Sequence, residues 1–271
     1  MSGRSARLRL VTGHDLPTGD PETRFLSRVL SETGWSVEIA VWSDASVAWG
    51  EADLTVLRST WDYPDHLGAF LAWCERAALQ TALHNPPALV AGNVDKRYLI
   101  ALAAAGVPVV PTRWLATPTP TRLAALCADE GWSRLVVKPA VGVDGVGVHL
   151  WAEGQAHARV AYEGHPHGWI VQPYVPSVRT QGERSVVLVD GEVAWSVEKR
   201  PRPDGPEIRV QERWGGSTRT VQSDAEADSV AGRALAVSCP DGAPVYARVD
   251  LLIWEGRWHV TEVELIEPSL Y

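Results

Sequence analysis

Residues 135–147 read Leu-Val-Val-Lys-Pro-Ala-Val-Gly-Val-Asp-Gly-Val-Gly, a pattern that few local structures accommodate. Leu135–Lys138 is apolar and β-branched enough for a strand that delivers a lysine at its end. Pro139 ends the hydrogen-bonded ladder, and Gly142, Gly145 and Gly147 follow. Such a loop lets backbone N–H groups approach a polyphosphate closely while Lys138 offsets its charge. The spacing is Gly-x-x-Gly-x-Gly. It is neither the Gly-x-Gly-x-x-Gly of a dinucleotide fold nor a P-loop, which needs Gly-Lys-Ser/Thr opening a helix. The ordinary alternative is a glycine-rich hairpin with a solvated lysine.

Composition sharpens the lysine. Lys and Arg total 25, yet only Lys96, Lys138 and Lys199 are lysines. In a chain biased so far towards arginine, a surviving lysine marks a place where a compact charge fits and a planar fork does not. A net charge of −8 argues against nucleic acid as the main partner. Three widely spaced cysteines without zinc spacing predict a reduced, cytoplasmic setting. The N-terminus lacks a signal-peptide core, and no stretch is apolar enough to span a membrane.

Before residue 85 the chain alternates strand and helix. Strands are expected at Leu8–Val11, Ser36–Trp42 and Leu54–Leu57. Pro21–Glu32 has apolar residues at 25, 26, 29 and 30, and a second helix from Asp65 carries Leu67, Phe70, Leu71 and Cys74. This predicts a small parallel sheet with helices on its faces. Beyond His84-Asn85-Pro86-Pro87 come helices at 96–105 and 121–130, then mostly strands. Hairpins turn at Asp190-Gly191 and Glu255-Gly256, a polar loop covers 201–219, and a helix covers about 224–237. The expected division is 1–84, an α/β substrate-side domain; 85–175, a central lid subdomain; and 176–271, a C-terminal subdomain with a metal site.

The last hairpin holds the second chemical signal. Arg248 and Asp250 share a face, as do Glu262 and Glu264. Buried carboxylates need compensation, and Mg²⁺ favours a few carboxylates together with substrate oxygens. Ion pairing to Arg248 is the alternative. Gln172-Pro-Tyr174-Val175 ends an apolar strand in a turn able to present backbone groups to a purine, or simply closes a core strand. Lys199 and Arg209 bring cations to a loop where phosphoryl transfer would use them.

In this order the elements resemble the ATP-grasp superfamily, well over 85–268 and more loosely before. The resemblance implies an α/β and α+β ATP-grasp fold with a small N-terminal domain, binding ATP and Mg²⁺, two ions being expected. It implies that Lys96 and Lys138 are nucleotide lysines, that Gly142–Gly147 cover the phosphates, and that Gln172, Tyr174 and Val175 form the adenine hinge. Glu183 joins the nucleotide set. Asp250, Glu262 and Glu264 resemble the metal ligands, although many members have Asn at the last position. Arg209 and Arg248, with Lys199, resemble cations that stabilise the transferred phosphoryl group.

Leu57-Arg-Ser-Thr-Trp-Asp-Tyr63, Asn93-x-Asp-Lys96, Gly182-Glu183-Arg-Ser and Glu264-Leu-Ile-Glu-Pro-Ser269 are similar as a set to one actinobacterial clade. That clade is related to prokaryotic glutathione synthetase and includes the O-ureido-serine cyclo-ligase of cycloserine biosynthesis. The implied activity is an ATP-dependent carbon–nitrogen ligase or cyclo-ligase of specialised metabolism acting on a small amino-acid-type substrate. Arg58, Ser59, Thr60, Trp61, Asp62, Glu267 and Ser269 are the expected substrate contacts. The implied partners are that substrate, no nucleic acid and no membrane; the resemblance allows a homodimer. The competing reading is a regulatory ATP-binding module without ligase chemistry.

Overall fold

The computed structural model describes residues 5–154 and 165–271. The chain divides into two compact units. Residues 1–93, 244–248 and 264–271 form the first; 94–243 and 249–263 form the second.

The first unit contains β1 (Arg7–Thr12), α1 (Pro21–Glu32), β2 (Ser36–Val41), β3 (Leu54–Ser59), α2 (Leu67–Ala78), β4 (Ala82–His84) and α3 (Pro87–Asn93). Its strands lie in the order β2-β1-β3-β4, all parallel. Asp20 starts α1 by accepting hydrogen bonds from the Glu22 and Thr23 amides, and Pro21 sits where a missing N–H costs nothing. Leu26 and Leu30 then fall on the face that covers Leu8, Leu10 and Val56. A second apolar group gathers α2 against the loops: Phe70 stacks on Tyr63 at 5.1 Å and meets Trp42 edge-on at 5.4 Å. Strand order reverses at β1, with β2 added on one side and β3 and β4 on the other, so Thr12 and Ser59 end at a topological switch point, where open parallel sheets bind ligands.

The second unit contains α4 (Tyr98–Ala104), β5 (Arg113–Leu115), α5 (Pro120–Glu130), β6 (Leu135–Pro139), β7 (His149–Trp151), β8 (Trp169–Pro173) and α6 (Ser177–Thr180). It continues with β9 (Glu183–Val189), β10 (Glu192–Arg200), β11 (Ser217–Val221) and α7 (Ala225–Ser238). β12 (Tyr246–Trp254) and β13 (Arg257–Glu264) complete it, apart from their residues at the unit boundary. One sheet has the order β5-β8-β6-β7 and the other β11-β10-β9-β12-β13. The expected hairpin turns form, with Asp190 and Glu255 at φ 51° and Gly191 and Gly256 beyond 80°. Among the described residues no helix is long and apolar enough to cross a membrane.

Two local expectations change. The helix foreseen at 96–105 starts only at Tyr98, and Lys96 precedes it in a turn, its amide donating to the Ala140 carbonyl at 2.8 Å. The loop foreseen at 201–219 contains the start of β11, which pairs antiparallel with β10. As an edge strand half in solvent, Ser-Thr-Arg-Thr-Val needs little apolar content, so hydropathy did not mark it.

Candidate active site

In the second unit the three lysines and three carboxylates form a continuous charge network. β6 carries Lys138 inward, and its Nζ donates to the Thr261 carbonyl at 3.2 Å and lies 3.8 Å from Glu262. Lys96 Nζ donates to the Gly142 carbonyl at 2.5 Å and pairs with Glu262 at 3.1 Å. One carboxylate on β13 therefore serves two lysines, and one of these lysines holds the start of the glycine loop. Burial pushes the Lys138 ammonium below its ordinary range, against the pull of Glu262. Burial alone would push Glu262 up, but Lys96 and Lys138 outweigh it and hold the carboxyl below its usual range.

Lys199 on β10 is 1% exposed and pairs with Glu183 at 2.6 Å and Asp250 at 3.0 Å. Asp250 also accepts from the Ser185 hydroxyl at 2.5 Å. Glu183 and Asp250 both act electrostatically on Lys138, so the two lysine clusters adjoin. β9, β10, β12 and β13 supply these side chains from adjacent strands, which is why residues far apart in sequence converge.

Gly145 and Gly147 take φ +68° and +71°, and a Cβ on Gly147 would meet the Pro139 ring at 2.8 Å. That position requires glycine both for its dihedral and for space. Arg209 is held by Glu207 through contacts of 2.8 and 2.6 Å and lies over the Trp214 ring. Hydrogen bonding to Arg209 lowers the Glu207 carboxyl to about 2. Of the expected hinge, Gln172 donates to Thr112 at 3.0 Å, and Tyr174 stacks under Arg134. The Tyr174 amide donates to the Arg134 carbonyl at 2.9 Å, and Val175 packs with Val110, Val178 and Val210.

The expected substrate residues belong to the first unit. Arg58 on β3 is 3% exposed, reaches Glu22 at 3.1 Å and faces the Tyr246 ring. Its Nε and Nη1 have no hydrogen-bond partner, and neither have the buried hydroxyls of Thr12 and Thr60. These unsatisfied groups cluster at the carboxyl ends of β1 and β3. Ser59 approaches Thr23 at 3.4 Å, and Trp61 donates to the Glu267 carbonyl at 3.2 Å. Asp62 accepts from the Trp42 indole at 2.8 Å and the His14 amide at 2.7 Å. Arg248 donates to the Ser269 carbonyl and pairs with Glu264.

The three expected metal ligands do not form a preformed set: no group of three or more His, Cys, Asp or Glu side chains able to hold a metal occurs among the described residues. Each carboxylate has a nearby cation instead, Lys199 for Asp250, Lys96 and Lys138 for Glu262, and Arg248 for Glu264. Pairing relieves like-charge repulsion that convergence would create. The donor chemistry of Asp250 and Glu262 still fits Mg²⁺, which binds through one or two carboxylates plus substrate phosphates.

Glu22, Tyr246, Ser185 and Thr261 also touch the site residues without standing among those expected from sequence. Glu22 was visible as an acid in the first turn of α1. Thr261 contributes a backbone carbonyl, which no side-chain pattern reveals.

A family model for the N-terminal domain of D-cycloserine synthetase DcsG matches residues 8–85. Over 254 residues the chain is 36% identical to the cycloserine biosynthesis protein DcsG of Streptomyces lavendulae, covering 88% of this chain and 83% of that one. The crystal structure of D-cycloserine synthetase DcsG superposes with a TM-score of 0.83 at 32% identity, over 98% of this chain and 93% of the other. The ATP-grasp ligase PsnB, solved with its minimal precursor, Mg and ADP, shares the fold at a TM-score of 0.62 and 16% identity, over 97% and 90%. The chain thus belongs to the D-cycloserine synthetase group of the ATP-grasp fold and is an ATP-dependent ligase.

Proposed function

We propose that this ligase is a carbon–nitrogen ligase or cyclo-ligase that activates a small amino-acid substrate of the O-ureido-serine type. A carboxyl or carbonyl oxygen of the substrate takes the γ-phosphoryl of ATP, giving an acyl or imidate phosphate and ADP. An amine then attacks that carbon and phosphate leaves with the oxygen, closing an amide or a ring. Lys96, Lys138 and the amides of Gly142–Gly147 bind and orient the phosphates, and the hinge around Gln172–Val175 takes the base. Lys199 and Arg209 offset charge that develops during transfer. Asp250 and Glu262 would hold Mg²⁺, two ions in our reading; bound there, the metal would supply further positive charge to the phosphate oxygens.

The observation that carries the substrate class is Arg58. A guanidinium buried with its Nε and Nη1 unsatisfied is costly alone, and a substrate carboxylate beside it would supply both acceptor and counter-charge. The adjacent orphan hydroxyls of Thr12 and Thr60 suit the remaining lone pairs.

The test is ADP release from MgATP across a panel of free amino acids and their carboxyl amides, with O-ureido-serine included. Arg58→Lys is expected to raise KM for the preferred acid by about tenfold with little change in KM for ATP, because a compact ammonium replaces the several guanidinium donors. An amide substrate turned over as well as its acid, or an unchanged KM in the variant, would remove Arg58 from this role.

A further inference from the structure

In the second unit the glycine loop is fastened at a residue whose backbone is unfavourable. Asp144 has φ +52°, a left-handed conformation that Gly adopts freely and Asp tolerates. Glycine at 144 would form the same turn with less strain, so the Asp144 side chain must offset the backbone cost through its contacts. Its carboxylate accepts from Arg213 Nη1 at 2.6 Å, and its carbonyl accepts from the Trp214 indole N–H at 3.0 Å. The Trp214 ring in turn carries the Arg209 guanidinium, 3.4 Å from its centroid. At the next position a Cβ on Gly145 would stand 2.8 Å from Gln211 Oε1 and 3.3 Å from Arg209 Cδ. Residues 209–214 are therefore seated directly on the glycine loop.

We propose that Asp144 is a positioning residue that docks the glycine loop onto residues 209–214, so that both reach the nucleotide as one body. The inference rests on the reading of Gly142–Gly147 as the cover of the phosphates. Arg209 is then carried to the terminal phosphate on the Trp214 platform whenever the glycine amides arrive. Its bond to Glu207 is exchanged for a phosphate oxygen. The arrangement couples two groups that the chain supplies more than sixty residues apart (Gly145 and Arg209).

Binding of MgADP and of magnesium β,γ-imido-ATP to the full chain, measured by calorimetry, tests this. Asp144→Gly keeps the left-handed backbone and removes the carboxylate; Arg213→Gln removes its partner. Each is expected to weaken the imido-triphosphate by about threefold, as an exposed ion pair allows, and to leave MgADP unchanged. Arg213→Lys should retain wild-type binding of both. Trp214→Leu removes the indole donor and the platform together, and about tenfold loss is expected for the triphosphate alone. Combining Asp144→Gly with Arg213→Gln should cost no more than either.

Wild-type triphosphate binding in both single variants, equal loss of the two nucleotides, or additive losses would overturn the docking role. Gly145→Ala separates the two readings. If it leaves both nucleotides unaffected, the glycine loop does not cover the phosphates and the docking falls with it. If it weakens nucleotide binding while Asp144→Gly and Arg213→Gln are silent, the cover stands and the docking fails.

Discussion

Lys199 illustrates how one residue carries both structure and chemistry. Its ammonium is almost fully enclosed and neutralises Glu183 and Asp250 at once. Lys199→Met leaves two carboxylates without their shared cation, and such a loss typically destabilises by about 3–5 kcal/mol. Urea unfolding of the variant reads this directly, and an unchanged midpoint would show that the pair is solvated. The cysteines are the opposite case. Burial pushes the Cys74 thiol up to about 12 and the Cys239 thiol to about 11, so at pH 8 neither supplies thiolate. A disulfide reagent at that pH should label Cys127 first and the other two only on unfolding. Fast labelling of Cys74 in the native state would contradict its enclosure. Glu207 gives a pH prediction of definite sign. Its folded carboxyl lies below the unfolded value, so its bond to Arg209 is fully present above about pH 4.5 and is lost as pH falls towards 2. Glu207→Gln should therefore lower stability in the neutral range and flatten its fall between about pH 4.5 and 2, where the two proteins converge; an unaltered acid limb would refute it.

At the scale of elements, strands and helices with strong periodicity were legible. The run Pro21–Glu32 has Asp20, Pro21 and a recurring apolar face, and the helix occupies those residues. The two hairpins were marked by Asp-Gly and Glu-Gly between apolar runs, and both turn there. The short strands β4, β5 and β7 have three residues each, too few for any period to show. β11 was hidden for another reason, since an edge strand exposed on one side can be wholly polar. At the site, the sequence offered candidates and, as the alternative to a metal, ion pairing to Arg248, but not the lysine partners. Periodicity put Glu262 and Glu264 on one face, yet the cations that hold them arrive from other elements, Lys96 and Lys138 in one case and Arg248 in the other. Strand register and tertiary approach decide such partners. Within the first unit the α2 packing is the element most open to test. Phe70 is fully buried among Tyr63, Trp42 and Trp73, and Phe70→Ala should cost about 3–5 kcal/mol in unfolding free energy. A loss below 1 kcal/mol would mean that the aromatic group repacks around the gap.

For the molecule as a whole, two units carry two kinds of recognition. The second has the lysines, glycine loop and carboxylates suited to a magnesium–nucleotide; the first has a buried, under-satisfied guanidinium suited to an acid. A nucleotide-binding module without ligase chemistry would have no need of the latter. The scarcity of lysine is also resolved at this scale: all three lysines sit in one network of the second unit, two around Glu262 and one around Asp250. Lys138→Arg puts a planar fork where Nζ meets a carbonyl and a carboxylate, and a large loss of nucleotide binding is expected.

The activation chemistry can be followed through a single oxygen atom. The substrate acid that best stimulates ADP release is prepared with ¹⁸O in the oxygens of its reacting carbonyl or carboxyl, and turned over with MgATP. If that oxygen takes the γ-phosphoryl and leaves when the amine attacks, mass analysis will find one ¹⁸O in each inorganic phosphate released. Product formation with phosphate free of ¹⁸O would contradict activation at the substrate oxygen, and with it the central reading of this enzyme.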